Sequence, residues 1–162
     1  MVKNERGFTL AETLMVVAII GIVALLGPKL IVSAVNFYQL HSAKSEIQRD
    51  ARVCLDLINR FLRQAQGSTV KISQVSGQPP YSQIQFTTIS GQNVNFYQQG
   101  HQLYQVLQSS VAITGNLRYI AFTYPRSDDP TIISVAVTME KATYEGGTKA
   151  LELSIEKVRI MN

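Results

Sequence analysis

Residues 8–26 form a run of nineteen positions with a single charged side chain, Glu12, in a sequence otherwise apolar or hydroxyl-bearing. As a helix this run is roughly 28 Å long, close to the ~30 Å hydrocarbon thickness of a bilayer. The segment therefore reads as a membrane anchor or a processing signal and not as a core helix. A carboxylate in hydrocarbon costs on the order of 3 kcal/mol unless it is paired or neutral, so Glu12 requires a reason to be there.

An ordinary secretory signal has a basic start, an apolar stretch of about 7 to 15 residues and small residues before the cut. Lys3 and Arg6 supply the basic start, and Val32, Ser33 and Ala34 could form the small-residue site. Against this, the apolar run is too long and an acid interrupts it. The lipoprotein route is poorer still, because Cys54 is the only cysteine and lies far beyond the run. A plain uncleaved anchor is the other alternative.

Arg6 and Gly7, followed by Phe8, Thr9, Leu10, Ala11 and Glu12 and then by apolar sequence through Gly21 to Pro28, resemble the class III leader of type IV prepilins and pseudopilins. In that family a dedicated membrane aspartyl peptidase cuts after the glycine and methylates the new N-terminal residue. The resemblance implies a cut between Gly7 and Phe8, with methylation of Phe8. Gly7 suits the cut because it brings no side chain into a narrow protease site. Lys3 and Arg6 would hold the leader on the cytoplasmic side. Cutting creates an ammonium group at Phe8, one helical turn from Glu12. In an assembling filament the Glu12 carboxylate could neutralise the ammonium of a neighbouring subunit in low dielectric. For Glu12 taken alone, pairing with its own N-terminus or a place among lipid headgroups explains the residue equally well, since an acid in the first turn also suits the helix dipole.

The chain then divides into a leader at 1–7, a transmembrane helix at 8–27, an extracytoplasmic amphipathic helix at 28–66 and a β-rich domain at 67–162. Gly27 and Pro28 predict a helix kink, because proline lacks a donor and presses on the carbonyl one turn back. Ile47, Ala51, Cys54, Ile58, Leu62 and Ala65 recur at steps of three and four, the pattern of one apolar helical face. Arg49, Arg52, Asp56, Arg60 and Arg63 share the period on another face, where Asp56 can support Arg60. Gly67 is the expected stop. A helix over 8–66 would be roughly 88 Å long if continuous.

After Gly67 alternation of period two replaces the helical pattern. Val70/Ile72, Ile84/Phe86, Val94/Phe96, Leu103 with its neighbours, Leu117 to Tyr124, Ile133 to Met139 and Leu151/Leu153/Ile155 predict seven strands. Turn chemistry separates them at Ser90-Gly91, Gln99-Gly100, Gly115-Asn116, at 127–130 and at Gly146-Gly147. The short spacings favour an antiparallel meander. The change of apolar phase from Leu151/Leu153/Ile155 to Val158/Ile160 predicts a β-bulge or the end of pairing. The second helix half should cover the sheet, so helix and sheet should form one folding unit. The expected class is α+β and, by the resemblance, pilin-like: a long N-terminal helix packed on an antiparallel sheet domain.

The helix segment Arg52, Val53, Cys54, Leu55 and Asp56, continued by residues 60–65, resembles the larger minor pseudopilins, the J-type of type II secretion and the W-type of type IV pili. The strand at 119–124 and the ending at 157–162 fit the same group. The resemblance implies a structural subunit of the tip or initiation complex of a secretion pseudopilus or type IV pilus. Alternatively the chain is a DNA-uptake or adhesive pilus subunit whose β-domain grips a ligand. The implied partners are other minor pseudopilins or pilins, the major subunit, the prepilin peptidase, the inner-membrane assembly platform and the lipid bilayer. The implied location is a single pass through the inner membrane, with the leader cytoplasmic and the C-terminal domain periplasmic.

Nucleic acid is not expected as a partner, because the arginine stripe is interleaved with acids and lacks stacking aromatics. Removing Lys3, Glu5 and Arg6 with the leader lowers the formal charge only from +4 to +3. No enzymatic activity is expected, since no pattern brings His41 or His101 beside a nucleophile. No cofactor or metal is expected either: Asp128, Asp129 and Glu145 lie in turns without ligand spacing. Cys54, on the apolar stripe, reads as a buried structural thiol.

Overall fold

The computed structural model describes residues 7, 9–143 and 149–161. Among these residues helix α1 runs over Leu10–Leu62 and is followed by eight strands, in an α+β architecture. The helix is continuous through Gly27 and Pro28. Contacts divide the chain between Gln39 and Leu40 into two compact units. In the first, most side chains of α1 are exposed; Leu14, Val17 and Ile20 are each more than half exposed.

In the second unit α1 stops at Leu62, short of the expected 66. The Arg63 N–H makes the last helical bond, to the Asn59 carbonyl, and the next two amides turn tighter, onto Phe61 and Leu62. The backbone is then captured by the end of a hairpin. Gln66 N–H donates to the Thr87 carbonyl at 2.9 Å, Ile89 N–H donates to the Gln64 carbonyl at 2.9 Å, and Ala65 bridges to Thr88. Gly67 opens a short 3-10 turn, Gly67–Thr69, and does not cap the helix.

Strands β1 (Lys71–Ser73), β2 (Gln83–Thr87), β3 (Asn93–Gln99), β4 (Gln102–Val106) and β5 (Ser110–Thr114) form an antiparallel meander in sequence order. Strands β6 (Leu117–Thr123), β7 (Ile132–Ala142) and β8 (Lys149–Arg159) form a second antiparallel sheet. Among the described residues the domain thus has two sheets where one meander was expected, and eight strands where seven were. The added strand is β5, whose Val111 is exposed and whose alternation is correspondingly faint. The sheets change over at Gly115-Asn116, one of the expected turns; the Gly146-Gly147 turn lies outside the described residues.

All six residues of the helical stripe, Ile47, Ala51, Cys54, Ile58, Leu62 and Ala65, are completely buried. They join one core with residues of both sheets, among them Phe96 on β3 and Phe122 on β6. Gln98, only 2 % exposed, ties the sheets together. Its Nε2 donates to the carbonyls of Gly100 and Arg118 at 2.9 and 3.0 Å, and its Oε1 accepts from the Ile120 N–H at 3.1 Å. A buried amide with both ends bonded avoids the desolvation cost that an unpaired one would incur.

Strand β8 corrects the expectation of a bulge. Its pairing with β7 runs without a shift from Lys149 opposite Ala142 to Arg159 opposite Ile132. Ala150, Val158 and Ile160, all at even positions, are buried, and Leu151, Leu153 and Ile155 are exposed. The apparent phase change is one unbroken strand whose outward face is apolar at its centre.

Candidate assembly site at the start of the helix

Thr9 and Glu12 close the N-terminus of α1 on each other. The Thr9 N–H donates to Glu12 Oε2 at 2.9 Å, the Thr9 hydroxyl donates to the same oxygen at 3.0 Å, and the Glu12 N–H donates to Thr9 Oγ1 at 3.3 Å. This is a capping box, in which the first residue and the residue three positions on satisfy each other's backbone donors. Glu12 thus has a local partner. That partner is Thr9, a residue not singled out in the sequence although Thr-x-x-Glu before an apolar run is its signature. Both bonds fall on Oε2, and Oε1 has no hydrogen bond among the described residues. The carboxylate therefore keeps one oxygen for a further donor.

Gly7 is described and exposed, whereas Phe8, the residue whose amine the cut would free, lies outside the described residues. α1 is long and apolar enough to cross a membrane, and the apolar window is not buried by protein among the described residues.

The other candidate residues are occupied locally. His101 Nδ1 lies 3.2 Å from the Leu117 carbonyl, and His41 is exposed on α1. Cys54 is buried, and burial pushes its thiol up to about 12, far from the thiolate form. Asp129 accepts from the Thr131 N–H at 3.0 Å, an Asx-type turn, and Asp128 faces Arg126 at 3.4 Å. Glu145 lies outside the described residues. Asp56 and Arg60 line one open depression with Arg63 and Glu156, but no ion pair joins Asp56 to Arg60.

The contacts that hold α1 on the second sheet were not read from the sequence. Lys141 on β7 pairs with Glu46, and Asn116 Nδ2 donates to Asp50 Oδ2 at 2.9 Å. The hydrogen bond from Lys141 holds the Glu46 carboxyl below its usual range.

Residues 2–27 match the family model of the prokaryotic N-terminal methylation motif. No curated protein and no solved structure matches the chain significantly.

Proposed function

We propose that this chain is a prepilin-type subunit: inserted through α1, cut between Gly7 and Phe8, methylated at Phe8, and built into a periplasmic filament as a minor pseudopilin or minor pilin of its tip or initiating complex. The observation that carries the reading is the methylation motif at residues 2–27, placed over the start of a helix whose N-terminal apolar window is not buried among the described residues. Glu12 supports it, because its capping box leaves Oε1 open to the ammonium of a neighbouring subunit. In hydrocarbon that pairing would be much stronger than in water. Gly27 and Pro28 would bend the helix where it leaves the bilayer. The peptidase, the assembly platform and the companion subunits follow as partners.

The test is made in the native cell. Glu12→Ala should insert into the membrane normally and fail to enter filaments, and normal incorporation would refute the pairing. Gly7→Val should leave the leader attached, and an intact-mass measurement showing the ordinary mature chain would refute the assigned cut. Purification of the detergent-solubilised full chain with its bound proteins separates the two filament types. Secretion pseudopilins mark a secretion piston; pilus subunits mark a surface or uptake pilus.

A further inference from the structure

β8 is an edge strand of the second sheet, 11 residues long, and among the described residues nothing pairs with its free side. Its outward row reads Lys149, Leu151, Leu153, Ile155, Lys157, Arg159. The three apolar residues at the centre are 51, 63 and 61 % exposed. The bond from the Ile160 N–H to the Thr131 carbonyl, at 2.8 Å, fixes the phase of the ladder with β7. Even residues of β8 bond to β7, and odd residues turn their N–H and C=O groups to the open edge. The residues with bare apolar side chains are thus the ones with unpaired backbone groups. Folded proteins ordinarily blunt such an edge with charges, proline or a bulge; β8 has no proline or bulge there, and its acids Glu152 and Glu156 fall on the opposite face, so the outward row carries no charge between Lys149 and Lys157.

We propose that β8 is a docking edge for an extended segment of a different protein, which adds as a strand with apolar residues at alternate positions and an acid at each end of that row. The charges on the page select this occupant. Lys149 and Lys157 stand at equal distances from Leu153 along the strand. A second copy pairing antiparallel about Leu153 would set Leu151 against Ile155, but Lys149 against Lys157 at both ends, and like charges directly opposite destabilise a pair. A segment with acids at those positions meets the lysines with opposite charge. Lys149 already contacts Glu140, whereas Lys157 has no ion pair among the described residues, so the stronger attraction lies at the Lys157 end. A lipid surface would cover the leucines and isoleucine but offer the edge backbone no hydrogen-bonding partners. A strand supplies both, which is how peptides add to open sheet edges. This inference stands apart from the helix and the leader and does not depend on them.

The test is amide hydrogen exchange of the full chain in nanodiscs of zwitterionic phospholipid, with a synthetic peptide Glu-Thr-Val-Thr-Val-Thr-Val-Thr-Glu as the probe. The expected result is at least tenfold slower exchange at Leu151, Leu153 and Ile155 with this peptide. The same peptide ended in lysines should bind roughly tenfold more weakly, from two reversed charge pairs. Leu153→Lys, at an exposed position, should abolish the slowing while the exchange of core amides is unchanged. The proposal is overturned if the acidic peptide slows nothing, or if both peptides act alike. Slowing by anionic nanodiscs alone, which would assign the edge to lipid, or by raising the protein concentration alone, which would assign it to a second copy, overturns it equally.

Discussion

Gln98 and Glu12 show how a single side chain can carry more than its type suggests. Gln98→Leu keeps the volume but strands the buried Ile120 N–H and the half-buried Arg118 carbonyl. Each unmet group costs about 1–3 kcal/mol, so the variant should lose roughly 2–6 kcal/mol in denaturant unfolding. At the helix start, charge and capping can be separated. Glutamine at the third position also completes a capping box, so Glu12→Gln should keep the first-turn amides protected in hydrogen exchange while losing filament incorporation. Thr9→Ala should do the reverse, fraying the first turn at a cost of about 1 kcal/mol while retaining the charge. If Glu12→Gln assembles normally, Glu12 is a cap and nothing more.

At the level of elements, the helix stripe was legible because burial on one face writes itself at steps of three and four, and six of six stripe residues are fully buried. Ile58→Ala should therefore cost about 2–5 kcal/mol, read as a lowered denaturant midpoint with an unchanged slope. Strands with one buried face were legible for the same reason. β5 was not, since it buries little, and β8 misled because its outward face is as apolar as an inward one. The end of α1 was misplaced because Gly67 is a local signal, while the bonds that stop the helix come from Thr87 and Ile89, distant in sequence. The Thr9 half of the candidate site was written plainly as Thr-x-x-Glu. The clasps of Glu46 and Asp50 on Lys141 and Asn116 could not be read, because they exist only once the second sheet is folded.

For the molecule as a whole, acid should loosen the hold of α1 on the second sheet, through Glu46, and the bracing within that sheet, through Glu140. Glu46 and Glu140 are both held below their ordinary value of 4.5, each chiefly by a hydrogen bond from a lysine, Lys141 and Lys149. A carboxyl depressed in the folded state stabilises above its unfolded value, and that contribution disappears as pH falls through the folded one. Thermal stability should drop from about pH 5 downward, and Lys141→Met should flatten part of that drop. The shared core also fixes what can be cut away. A chain beginning at 67 lacks every stripe residue and should fail to fold cooperatively, with no sharp thermal transition. The same interdigitation sets a load path. A pull along residues 40–62 acts on side chains that share one buried core with both sheets, and those sheets are themselves laced by Gln98. Such a force must shear the whole apolar core at once and cannot peel it strand by strand, so the subunit would resist traction on its helix far better than traction on the open edge of β8.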